Sequence, residues 1–233
     1  MTYGEIKDVV REHFGRIGWP TTMLDVALLS ARRDIEKTGN FYWMRDATTF
    51  NTVASTASYA IGSGSAINEA NFKDARALHA KESSDTVWSE VSLGVVSQEE
   101  AALMFPTDEE SFPLIAVLDN ATITLYPTPD DVYNMKLWHW NWTAAPTAGN
   151  TGTDELTNRF PEALIYGALV WGSDQFEKNH PEADRWRGLV AMEIQKIHKH
   201  NFEREQPDRL TIFPMAGPYE NRRVTRLNRQ IWV

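Results

Sequence analysis

Residues 132–143 read VYNMKLWHWNWT, and this alternation decides how the middle of the chain folds. Successive side chains of a strand point to opposite faces, so Trp138, Trp140 and Trp142 share one face while Leu137, His139 and Asn141 share the other. The same period-two pattern, broken by turn residues, extends outward over 41–146. It predicts strands near Thr48 to Val53, Ser58 to Ile61, Ala75 to Lys81, Thr86 to Val91, Leu114 to Leu118 and Ala121 to Tyr126. Asp119-Asn120 lies between two apolar runs and tolerates positive φ, which predicts a hairpin turn. A short helix, Ser97 to Met104, interrupts the strands, with Ser97 as N-cap and Gln98, Glu99 and Glu100 suited to the positive end of a helix.

Helical periodicity flanks this region. Ile6, Val9, Val10, His13 and Phe14 fall on one face, and Thr2 with Glu5 makes a capping pair. A second helix is expected from about Thr22 to Lys37, with Leu24, Ala27, Leu28, Ala31 and Ile35 on one stripe. After the polar run 147–154, Arg159 to Glu177 is apolar on nearly every side, so it belongs in an interior. Pro161 sits where a first-turn proline is tolerated. A more exposed helix runs from Pro181 to about Arg204. The expected architecture is α+β: a helical bundle from N-terminal (1–40) and C-terminal (147–205) helices, a β-rich insertion (41–146) and an extended arm (206–233).

The arm is the chain's charge anomaly. Arg209 to Val233 holds five arginines and one acid, a local +4, although the whole chain carries −9, so residues 1–208 carry −13. Pro214, Gly217 and Pro218 oppose a long helix, and the segment has too few apolar residues for a core of its own. A docking role is expected for Arg209, Phe213, Tyr219, Arg222, Arg223, Arg226, Arg229, Ile231 and Trp232. The arginines suit an acidic protein surface and the last two apolar residues suit anchoring.

Composition removes several classes of function. With no cysteine among 233 residues, disulfides, thiolate metal sites and cysteine nucleophiles are excluded. The chain opens without the basic and apolar regions of an export signal and contains no run long enough to span a membrane, so a cytosolic protein with no membrane partner is expected. The Asn120-Ala121-Thr122 and Asn141-Trp142-Thr143 glycosylation patterns are then coincidental. An acidic body argues against general nucleic-acid binding.

No constellation assembles a catalytic centre, and no enzyme activity, cofactor or metal is expected. His198 and His200, two apart on a helix, point about 200° from each other and cannot share an ion. His13, His79, His139 and His180 stand isolated in the sequence. Gly62-Ser63-Gly64-Ser65 has neither a nucleophile-elbow context nor the lysine of a phosphate loop. Asp108, Glu109, Glu110, Asp130 and Asp131 fall in turn-rich segments where a solvated face is the ordinary reading. An unrecognised hydrolase using carboxylates of the insertion is the weakest alternative. Trp138, Trp140 and Trp142 are a candidate interface: either they pack on another sheet or subunit, or they form a carbohydrate-binding platform. Packing is favoured, because no polar cluster nearby would orient a sugar.

Three stretches carry a resemblance: TFNTVASTASYAI at 49–61, ATITLYPTPD at 121–130 and NRFPEALIYGAL at 158–169. In this order they resemble the head-to-tail adaptor (connector) proteins of tailed bacteriophages, the tail tubular proteins among them. Residues 62–71 depart from that pattern by their length and by lacking a Leu-Pro. The resemblance implies a structural virion protein at the head–tail junction, assembled in the host cytoplasm. It implies a ring of about twelve copies with itself, bound to the portal protein and to a downstream tail (nozzle or tail tube) protein. DNA then passes through the channel without specific binding, and the C-terminal arm reaches the portal.

Overall fold

The computed structural model describes residues 1–14, 20–94, 96–105, 110–144 and 151–205. The chain begins with α1 (Tyr3–His13) and α2 (Thr21–Lys37), followed by a 3₁₀ turn at Tyr42–Met44. Strands β1 (Arg45–Asn51), β2 (Ser58–Gly62), β3 (Ile67–Asn68), β4 (Phe72–Glu82) and β5 (Ser89–Leu93) come next. After α3 (Gln98–Met104) come β6 (Ile115–Asp119), β7 (Thr122–Tyr126) and β8 (Tyr133–Asn141). The chain then returns to helix as α4 (Glu155–Arg159), α5 (Pro161–Gly172), a π turn at Ser173–Glu177, and α6 (His180–Glu205).

The expected architecture is corrected here. The strands do not form a β insertion in a helical bundle: all eight join one mixed sheet, in the order β1-β8-β4-β5-β6-β7-β2-β3, that curls into a nearly closed barrel. Most neighbours are antiparallel, while β5–β6 and β2–β3 are parallel. Each strand turns one face inward, and Phe50, Ile61, Ile67, Leu78, Val91, Ala116, Leu125 and Met135, one from each strand, are buried in a common core. At the seam Thr48 of β1 donates to Glu69, just beyond β3. Alternation foretold the strands but not their order in the sheet, because β1 pairs with β8 across about 90 residues of sequence.

The helices form a second core. α5 packs against α1, α2, α4 and α6, which is why its apolar residues lie on every side. One tight approach is to α2. A Cβ added at Gly167 would stand 2.6 Å from Cβ of Ala31. Gly167→Ala is therefore expected to cost about 1–3 kcal/mol by forcing the helices apart, against an intrinsic helix gain of about 1 kcal/mol. Chemical denaturation of the variant checks this.

Local signals set the helix ends. Thr2 and Glu5 form a capping box on α1, as do Ser97 and Glu100 on α3. α2 starts one residue before the expected Thr22, after Pro20 and without a side-chain cap, and Asp25 pairs instead with Lys7 of α1. The hairpin between β6 and β7 turns on Asn120 and Ala121, both at positive φ, one residue later than expected.

Candidate functional site

The two cores meet at one end of the barrel. There β4 carries two bulges, each inserting one extra residue opposite β8: Lys73 between Phe72 and Asp74, and Arg76 between Ala75 and Ala77. A bulge re-aims the side chain it adds. Lys73 Nζ donates to the carbonyls of Glu36 (2.5 Å) and Gly39 (2.6 Å), satisfying the C-terminal end of α2 and tying it to the sheet. Burial lowers the pKa of this ammonium. Close by, Arg45 pairs with Glu205 of α6 at 2.6 Å, and Asn201 Oδ1 accepts from the amide of Tyr42 at 2.8 Å.

Arg76 points to the outer face of the sheet. That face is built in rows across β1, β8 and β4: Ala47–Trp138–Ala77, Thr49–Lys136–His79 and Asn51–Asn134–Lys81. The flanking alanines leave Trp138 standing above its neighbours, 37% exposed, with Lys136 Nζ 4.1 Å from the ring centroid. Two shallow depressions of about 450 and 330 Å³ border the indole, and Arg76 lines both. Lys81 lies 5.2 Å from the Trp88 ring on the same side. The result is an aromatic and cationic patch on an otherwise acidic body. Exposed Trp and Arg side chains are the types that dominate binding energy at protein interfaces.

The three tryptophans share a strand face, as alternation predicts, but they do not form one platform. Trp140 and Trp142 pack against the helical core, and Trp142 also lies beneath Arg33 (5.2 Å) and Lys73 (4.8 Å). Only Trp138 is left open, so the flat three-ring surface needed for stacking along a sugar chain is absent. Trp140→Ala is expected to destabilise the protein by about 2–4 kcal/mol and Trp138→Ala by less than about 1 kcal/mol. Equal losses in thermal melts would contradict the division.

The other motifs also find places. His198 Nε2 is 3.1 Å from Thr38 Oγ1, while His200 contacts the Tyr42 and Phe160 rings, so the two histidines serve different neighbours. His13 stacks edge-on against Trp186, and His180 faces Asp174. Gly62-Ser63-Gly64-Ser65 makes the turn that leads from β2 to β3. Asp130 accepts from the Tyr133 hydroxyl at 2.5 Å, and burial together with this bond pushes the phenol up to about 12. His139 has a more particular setting. It is buried at the barrel seam beside Asp46 and Glu69, three residues from separate segments with no motif to connect them. All of the arm residues, Arg209 to Trp232, lie outside the described residues.

A sheet face with an open Trp and a bulged Arg thus lies beside the helical layer. The family model described as SU10 adaptor protein matches residues 1–214. The chain belongs to this family. SU10 adaptor proteins are phage head-to-tail adaptors, so this adaptor is a structural bacteriophage protein of tail assembly, a virion component that interacts with portal and tail components. The match includes Arg209 and Phe213 of the adaptor and stops before Tyr219 and the remaining arginines. Among curated proteins no match is found. No helix among the described residues is long and apolar enough to cross a membrane.

Proposed function

We propose that this adaptor forms a ring of about twelve copies at the head–tail junction, between portal and tail, with DNA passing through its centre. The family match over residues 1–214 carries the reading. The helical layer supplies contacts between neighbouring copies, the barrel meets the tail side, and residues 206–233 dock on the portal. The charge distribution supports this division: a body at −13 does not retain the phosphates sliding through it, while the +4 segment seeks acidic protein surface. A structural role without catalysis follows from the same reading.

Mixing the purified adaptor with its portal and imaging the product by electron microscopy tests the proposal. The expected product is a ring of adaptor stacked coaxially on the portal. An adaptor that stays monomeric in the presence of portal, or binds it without forming a ring, would overturn the reading.

A further inference from the structure

We propose that the seam of the barrel is a binding site for a divalent transition-metal ion, with Asp46, Glu69 and His139 as ligands. Asp46 comes from β1, Glu69 from the segment just after β3 and His139 from β8, and one donor atom from each lies within 4.8 Å of the other two. Strands β1 and β3 are the two ends of the sheet, adjacent in space but without a ladder between them. An ion held here joins the strands that backbone hydrogen bonds leave apart.

The imidazole is set up as a ligand. His139 is 1% exposed, and its Nδ1 lies 3.3 Å from the carbonyl oxygen of Leu137. That carbonyl can only accept, so Nδ1 carries the proton of the neutral ring and Nε2 holds a free lone pair. A backbone carbonyl on the remote nitrogen is the usual support of a metal-binding histidine. Nε2 is buried, makes no hydrogen bond, and faces Glu69 Oε2 at 3.6 Å. In the neutral ring a lone pair there faces a carboxylate, and either a second proton or a metal cation between them relieves the contact. Asn141 holds both acids in place, its Nδ2 donating to Asp46 Oδ2 (3.2 Å) and Glu69 Oε2 (3.1 Å), while its own Oδ1 is buried without a hydrogen-bond partner.

Two carboxylates and a neutral imidazole balance a charge of +2. This oxygen and nitrogen set suits zinc or manganese better than the all-oxygen cages of calcium. Asp46 is exposed and opens the site to solvent, and the nearby Arg45 is engaged by Glu205.

The test uses the full chain freed of metal with a chelator, titrated with zinc chloride and separately with manganese chloride, by calorimetry and by melting temperature. Wild type is expected to bind one equivalent of one of these ions and to melt at a higher temperature with it. Asp46→Asn and Glu69→Gln should each weaken binding at least tenfold and remove the shift. The exposed position of Asp46 keeps that variant folded, and circular dichroism checks both. No saturable binding by wild type overturns the site. Binding of equal affinity in both variants overturns it too, since the ion is then adventitious and held elsewhere.

Discussion

Asp154→Ala destabilises the protein by about 3–5 kcal/mol, the largest loss expected from any single side chain at the surface of the helical layer. The reason is Arg32 on α2, which is 1% exposed and forms an ion pair with Asp154. Burial pushes the Arg32 guanidinium down to about 10, an effect partly offset by Glu36. Of the remaining contacts of Arg32, the carbonyl of Ala144 at 3.1 Å and the ring of Tyr3 at 5.0 Å bring no full negative charge, and Glu36, which pairs with Arg33, compensates only in part. Removing Asp154 leaves a buried cation short of its partner. The same carboxylate accepts from the Tyr3 hydroxyl at 2.9 Å and caps α4 through the amide of Thr157 at 2.9 Å, so α1, α2 and α4 all meet on it.

Asp154→Asn preserves the capping oxygen but not the charge and should lose less, by roughly the 1–2 kcal/mol that separates a cap from a cap with an ion pair. In an Arg32→Met background the alanine substitution should cost only about 1 kcal/mol, because no buried charge is then left uncompensated. Urea denaturation of wild type, Asp154→Ala, Arg32→Met and the double variant measures the coupling. A loss below about 1 kcal/mol in the wild-type background would remove the ion pair from the account.

What the sequence made legible was local. The capping pair Thr2/Glu5 and the N-cap Ser97 were readable because a cap and its partner sit within one turn, and strands with alternating residues were found to within a few positions. The two-residue strand β3 is too short for any period, and α4 is a single turn whose cap, Asp154, was read as the end of a loop. The order of the sheet depends on pairings distant in sequence, so the strands could be recognised without the sheet they form. The tryptophans show the same limit. Alternation gave their common face, but which of them the helices cover was decided by the bulge at Lys73 and the docking of α2, neither of which has a local signature. Asp46, Glu69 and His139 come together only because the barrel brings its ends side by side.

Deleting residues 209–233 is expected to abolish portal binding, with at least a hundredfold loss of affinity, while the melting temperature stays within about 2 °C of the full chain. Among the described residues, both hydrophobic cores lie between Tyr3 and Ile197, and each has its own apolar packing. The deletion does remove the chain's one concentrated positive charge and leaves a body at −13. If the arm docks by charge on an acidic surface, changing Arg222, Arg223, Arg226 and Arg229 to Gln should slow association and reduce its salt dependence, since such attraction is screened beyond about 8 Å at physiological ionic strength. If Ile231 and Trp232 are the anchor, replacing both with Ala should instead speed dissociation and leave the salt dependence in place. A truncated adaptor that binds portal as tightly as the full chain would move the docking surface elsewhere. The exposed Trp138, with Arg76 and Lys136 around it, would then be the first place to look, because it presents the same pairing of cation and aromatic ring on the rigid sheet.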